Sequence, residues 1–154
     1  MKKVNTNNFK KTLSKFSTGI TVVCVKNNNS IYGKTVNSFN SLSLNPPMVL
    51  FSLGNYSSSI KKFSKTKFLS INILSSKQKK LSDNFASTTP KLENIKFIEG
   101  KYKTAIIPNC IANLECKLID KIKKGDHIIF ICKIVEVQSN DKLKPLVYFN
   151  SKYF

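Results

Sequence analysis

The sequence predicts a mainly β protein with short helices, arranged as a β-barrel or an α+β sheet. Three observations carry that prediction. Apolar or alternating runs of strand length recur along the whole chain. Helical spacing appears only in brief stretches, too few and too irregular for alternating parallel βαβ units. The 154 residues show no internal repeat and no linker, so residues 1–154 read as one domain.

The elements follow in order. Residues 4–16 place apolar side chains at 9, 13 and 16 among polar ones, which fits an amphipathic helix stopped by Gly19. The β-branched run 20–25 reads as a buried strand. Asn27, Asn28, Asn29 and Ser30 form a turn cluster, so 31–39 returns as the second arm of a hairpin. Residues 42–47 read as a loop whose exit the double proline stiffens. Residues 48–53 make a third, apolar strand. Asn55 to Ser59 favour a helix start, and a short helix begins at 60–63. A strand over 68–74 precedes a helix over 76–85, with Leu81 and Phe85 on one face. Residues 91–108 carry no clear period. Two long strands, 111–123 and 127–138, flank the turn Lys124-Gly125-Asp126, and 146–149 is a final strand.

The charge is the most conspicuous feature of the composition. All 26 basic residues are lysine, against 8 acidic ones, for a net charge of +18. Such a surplus raises nucleic acid or an anionic membrane as partners. The distribution argues against a dedicated patch, because no run reaches five or six like charges and the arginine that forks onto guanine or phosphate is absent. Lysine, asparagine, isoleucine and phenylalanine in excess match AT-rich codon usage. No apolar run approaches the ~18 residues of a membrane-spanning helix. Residues 1–15 lack the apolar core and cleavage site of a secretory signal. The four cysteines form no C-x-x-C pair and the chain has one histidine, His127, so a metal site is not expected. Reduced, buried thiols in a cytoplasmic protein are the expectation.

The usual phosphate and dinucleotide fingerprints are absent, as are hydrolase and kinase signatures. Three small polar clusters remain. Residues 33–43 place hydroxyls and an amide along a strand and its exit, a pattern that suits a polar heterocycle or an ordinary Ser/Asn-rich turn. Asn55-Tyr56-Ser57-Ser58-Ser59 precedes a helix, where free amides bind phosphate or a side chain simply caps the end. Gly125-Asp126-His127 sits at a hairpin, where a histidine is either structural or able to exchange a proton with a ligand.

In order and spacing, these segments resemble the flavin reductase-like family with the FMN-binding split barrel, the reductase components of two-component flavin-dependent monooxygenases. The resemblance runs through FSTGITVV (16–23), GKTVNSF (33–39), SLSLNPP (41–47), VLF (49–51), FLSINILS (68–75) and Gln78. It continues through LSDNFA (81–86), LEC (114–116), GDHIIF (125–130) and PLVYF (145–149), from about residue 9 to 153. It implies a six-stranded split barrel, a homodimer, and NAD(P)H-dependent reduction of FMN or FAD, with reduced flavin passed to a partner oxygenase. It further implies that Lys34, Thr35, Val36, Asn37 and Ser38 lie along the flavin ring, with Ser41, Leu42 and Ser43 following in the same loop and Ser52 closing the next strand. Ser57, Ser58 and Ser59 correspond to the flavin phosphate site; Asn84, Phe85 and Ala86 to a helix edge touching the cofactor; Tyr153 to a further cofactor contact. His127 corresponds to the residue facing the nicotinamide and aiding hydride transfer.

The chain departs from the family pattern at Cys132, where glycine is common, and at Ser151-Lys152-Tyr153, where Gly-Arg-Tyr is common. Lys152 keeps the charge without the planar fork. Lys61 or Lys62 is the expected cation of the phosphate segment, and residues 91–108 are expected on the nicotinamide or substrate side. Hydride chemistry suits this inventory, because the cofactors do the electronic work and the protein orients them. Two rivals remain: a flavoprotein that binds FMN without reductase activity, and a basic β-barrel that binds nucleic acid.

Overall fold

A computed structural model describes residues 3–154. Met1 and Lys2, where the stretch read for a secretory signal begins, lie outside the described residues. Helix α1 (Thr6–Leu13) is capped by the Asn5 side chain, which accepts from the Asn8 N–H. It ends at Ser14, well before Gly19, because the Ser14 N–H closes the last turn on Lys10. Gly19 belongs instead to a short strand, β1 (Thr18–Gly19). Strands β2 (Thr21–Asn27) and β3 (Ser30–Val36) form the expected hairpin, with Asn28 in the left-handed region at φ 52°.

The expected loop at 42–47 is largely a strand. Strand β4 (Asn40–Leu44) pairs with β5 (Pro47–Gly54) across a bulge between Ser41 and Ser43. The Ser- and Pro-rich composition suggests a loop, but the free edge of β5 offers backbone partners that composition does not reveal. Helix α2 spans Ile60–Lys65 and strand β6 Phe68–Ile73. A 3-10 turn (Ser76–Gln78) leads into α3 (Lys79–Ala86), so the helix expected from residue 76 opens tightly wound. The stretch without a clear period holds a small hairpin, β7 (Ile98–Glu99) and β8 (Ala105–Ile106). The long strands are β9 (Ala112–Lys124) and β10 (His127–Ser139). Strands β11 (Val147–Phe149) and β12 (Lys152–Tyr153) join β1 in a three-stranded sheet.

The main sheet has seven antiparallel strands in the order β3-β2-β6-β9-β10-β5-β4. It curls without closing, which is the split barrel. One side chain spans the split: the Ser38 hydroxyl donates to the Ser52 carbonyl at 3.1 Å and accepts from the Ser52 N–H at 3.0 Å. It supplies between β3 and β5 what a ladder residue supplies elsewhere.

Two apolar clusters lie on opposite faces of the sheet. Inside the curl, Phe130 stacks on Phe51 at 5.1 Å between centroids and meets Phe63 edge-on at 6.3 Å, among Val23, Val25, Leu69 and Ile71. Outside, Val22, Cys24, Leu74, Phe85, Ile107 and Leu146 pack under α3 and the β8 region. Strand β2 is therefore buried on both faces, which is why 20–25 reads as a continuous apolar run. Cys132 packs into the inner cluster beside a bulge between Ile131 and Cys132.

Residues 98–106 are held by Glu115. Its carboxylate accepts from the Lys101 and Tyr102 N–H groups and the Thr104 hydroxyl, at 2.8–2.9 Å. All four thiols are buried, and burial pushes them well above the ordinary range, Cys110 to about 11 and Cys132 to about 12. Burial within the two apolar clusters keeps the thiols protonated and out of solvent, which argues against Cys–His catalysis. The folded protein is expected to leave all four unreacted with a thiol-specific disulfide reagent at neutral pH and to react fourfold in denaturant. Rapid labelling of any one in the folded state overturns this.

Candidate functional site

A cleft of about 420 Å³ opens where the end of β3, the exit of β5, the end of α3 and the start of β10 converge. Strand β3 and its exit contribute Lys34, Thr35, Val36, Asn37 and Ser38; β5 contributes Ser52, Leu53 and Gly54. Tyr56, Ser57 and Ser58 form one rim, Ala86 and Thr88 another, and His127 stands at the mouth.

Local sequence explains the convergence. A Cβ on Gly33 would lie 2.4 Å from the Phe85 ring, so glycine lets α3 settle against β3 and brings Ala86 to the cleft. The Thr35 hydroxyl fastens the same contact by donating to the Ser82 carbonyl at 2.7 Å. A Cβ on Gly54 would lie 2.7 Å from the Tyr56 ring, so the tyrosine folds back over the strand end. His127 opens β10 directly opposite Gly54, and the Asn55 N–H donates to the Asp126 carbonyl at 2.9 Å. The hairpin turn is thus tied to the rim it faces.

The His127 Nδ1 lies 2.7 Å from Asp126 Oδ1. The hydrogen bond to His127, with the imidazole charge behind it, holds the exposed Asp126 carboxyl below the usual carboxylate range. An ionised carboxylate only accepts, so Nδ1 carries the proton and Nε2 is the nitrogen left for a ligand.

Of the residues expected to touch a cofactor, the cleft gathers Lys34, Thr35, Val36, Asn37, Ser38, Ser52, Ser57, Ser58 and Ala86, together with His127. Others lie elsewhere. Ser41, Leu42 and Ser43 sit on the edge strand β4. Ser59 is buried with its hydroxyl 3.1 Å from that of Ser57, and it borders an adjoining cavity. Asn84 spends its amide on the backbone of Lys91, and Phe85 is fully buried. Tyr153 reaches the Ser82 hydroxyl at 3.0 Å beneath α3. Residues 91–108 leave the cleft untouched.

Sequence reasoning missed Leu53, Gly54 and Thr88 as lining residues and carried Tyr56 only as part of the 55–59 cluster. Gly54 had a signal, as one of only five glycines in the chain. Of the expected phosphate cations, Lys62 sits over the Tyr32 ring at 5.4 Å and Lys61 is exposed on α2, both off the cleft. The lysine that lines it is Lys34, whose Nζ donates to the Ser87 carbonyl at 2.7 Å. No carboxylate lines the cleft among the described residues.

The model of the flavin reductase like domain matches residues 13–154. The chain belongs to the flavin reductase-like family. An FMN reductase (NADH), SmoA, from Agrobacterium fabrum is 32% identical over 137 residues, 89% of this chain and 79% of that protein. The reductase component of a 4-hydroxyphenylacetate 3-monooxygenase from Thermus thermophilus is 32% identical over 145 residues, 94% of this chain and 93% of that one. The solved structure of the flavin reductase PheA2 superposes with a TM-score of 0.92 at 33% identity, covering 98% of this chain and 97% of that chain. The flavin reductase-like fold accounts for the split sheet, and the cleft lies at its opening.

Proposed function

We propose that this chain is an NAD(P)H-dependent flavin reductase that reduces FMN or FAD by hydride transfer and supplies reduced flavin to a partner monooxygenase. One observation carries the reading: a member of this family has several of its matched segments brought to one cleft, lined by hydroxyls, an amide and a single lysine, with one histidine beside them. Relatives named as NADH-dependent support NADH as donor. Relatives named as monooxygenase reductase components support a partner oxygenase.

The lining fits a flavin. Val36, Leu53 and Ala86 offer apolar surface to a flat ring, while Asn37, Ser52 and Ser57 offer polar side chains to its edge. The absence of lining carboxylates, among the described residues, suits an anionic tail. The reacting electron pair is supplied by the nicotinamide and accepted by the flavin. This chain's residues orient and enclose. Thr35 and Ser38 are tied to Ser82 and Ser52, so the wall they form is rigid before any ligand arrives. His127 presents Nε2 at the mouth, its ring fixed by Asp126.

Residues 1–154 act as one domain in this reading, in the cytoplasm. No helix is long and apolar enough to cross a membrane among the described residues. We assign a homodimer on the apolar surface left uncovered by one chain: Phe9, Leu13 and Phe16 around α1, Leu44 on β4, and Ile119 and Ile122 on β9.

Purified protein is expected to oxidise NADH rapidly only when FMN or FAD is added, read as loss of the reduced-nicotinamide absorbance. No oxidation with either nucleotide and either flavin overturns the reading. Tight flavin binding without turnover points to a flavoprotein of another kind. Salt-sensitive binding of oligonucleotides without any flavin response points to a polyanion-binding barrel.

A further inference from the structure

A basic cavity lies away from the cleft. The end of β2 and the chain that runs from α2 into β6 enclose about 370 Å³, with Lys26, Asn27, Lys62, Lys65, Thr66 and Lys67 on its wall. It shares no lining residue with the cleft. The β2–β3 ladder sets the separation. Lys26 stands opposite Ile31, whereas the cleft residues Lys34, Thr35 and Val36 stand opposite Val23, Val22 and Thr21. That is three to five residues back along β2, about 10–17 Å of strand.

Composition alone does not gather these lysines. Lysine is about one residue in six of this chain, yet it supplies four of the seven lining positions, and no carboxylate lines the cavity among the described residues. The four come from separate elements: Lys26 from β2, Lys62 and Lys65 from α2, and Lys67 from the approach to β6. Most are also held in place. Lys26 pairs with Glu99. The Lys62 Nζ sits over the Tyr32 ring at 5.4 Å, and the Lys67 Nζ over the Phe68 ring at 5.6 Å. An aromatic face positions an ammonium without neutralising it.

Little answers this charge. Glu99 answers Lys26, and the carbonyl end of α2 offsets about half a charge. Lys62, Lys65 and Lys67 have no carboxylate within ion-pair distance among the described residues. All three are exposed, so each alone is worth little to a ligand in water. Affinity therefore requires a ligand that engages several at once, which a chain of linked phosphates does and a single phosphate does not. The concave outline suits a short chain over an extended polymer.

We propose that this cavity is a second anion-binding site, separate from the flavin cleft, that takes a small compound carrying linked phosphates, such as the polyphosphate chain of a nucleoside triphosphate. Lys62, Lys65 and Lys67 grip the phosphates from one side, and Lys26 and Asn27 close the other. The site stands independently of the flavin-reductase reading.

Inorganic tripolyphosphate is the probe, with orthophosphate at equal ionic strength as the reference. Dissociation constants are measured by titration calorimetry for the wild-type chain, Lys65→Met/Lys67→Met, Lys142→Met/Lys144→Met and Lys34→Met. Lys142 and Lys144 are exposed and line neither cavity. Wild type is expected to bind tripolyphosphate roughly tenfold or more tighter than orthophosphate. Loss of the ammoniums at 65 and 67 is expected to weaken that binding roughly tenfold, while the other two variants keep it. Equal affinity for the two anions overturns the proposal, as does unchanged affinity in Lys65→Met/Lys67→Met. So does an equal loss in Lys142→Met/Lys144→Met, which marks a diffuse field, or a loss in Lys34→Met, which puts the anion in the cleft. A single-stranded oligonucleotide that binds tighter than tripolyphosphate, and is lost in the same variant, overturns it in favour of an extended polyanion surface. Amine acylation read by mass spectrometry needs no variant. Tripolyphosphate is expected to protect Lys62, Lys65 and Lys67 ahead of the other exposed lysines. Protection spread evenly over the chain, or none, overturns the proposal even where a variant fails to fold.

Discussion

Phe130→Ala is expected to lower the unfolding free energy by about 3–5 kcal/mol, the usual cost of emptying a buried aromatic site. Phe130 is fully buried on the central strand pair, stacked on Phe51 and edge-on to Phe63. Three rings on β5, β10 and α2 interlock there, so the neighbours cannot collapse into the space without moving a strand. Domains of this size are stable by only about 5–15 kcal/mol, so the loss is a large fraction of the total. Urea unfolding of wild type and variant checks it. A change below about 1 kcal/mol means the inner cluster is loosely packed and the account of the core is wrong.

His127→Ala is expected to slow turnover by roughly a hundredfold, in the range of one positioned proton-transfer group, while flavin affinity changes little. The imidazole stands at the mouth of the cleft with Nδ1 engaged by Asp126, which leaves Nε2 for the ligand side. Asp126→Asn is expected to produce a smaller loss of the same kind, because the amide fixes the tautomer less firmly than a carboxylate. The sign with pH follows from Asp126. Its folded-state pKa is depressed, so the contact is in place above the usual carboxylate range and is lost as pH falls below it. The orienting contact is therefore intact throughout the neutral range. Steady-state rates with saturating flavin, set beside flavin dissociation constants, decide the point. A collapse of flavin affinity with normal turnover per bound flavin makes His127 a binding residue.

Much of the fold was legible because its strongest signals are local. The 20–25 run, the Asn-rich turn and the alternation after Gly125 each report a strand or reversal from neighbouring residues alone. Strand β4 was not, since Ser41 to Leu44 pair only because β5 presents an open edge. The two-residue strands β1, β7, β8 and β12 are too short to carry an alternation, and β1 pairs with a partner distant in sequence, β11.

The site divides along the same line. Residues 34–38, the serines at 57 and 58, and His127 lie in segments whose order matches a known family, so the sequence alone could name them. Which hydroxyls remain free is another matter. Thr35, Asn84 and Tyr153 are committed to Ser82 and Lys91 across 7 to 71 residues of chain, and Ser38 is committed to bridging the split.

Family, strand content and most of the lining segments were thus set by the sequence, because residue order and apolar period survive without knowledge of packing. The tertiary structure alone decided that Lys61 and Lys62, the lysines expected beside a phosphate, lie off the cleft that Lys34 lines. Lysine looks the same everywhere in a chain with 26 of them. Only the curl of the sheet and the seating of α3 against Gly33 decide which of them border the cleft, and they leave Lys34 there, partly out of water.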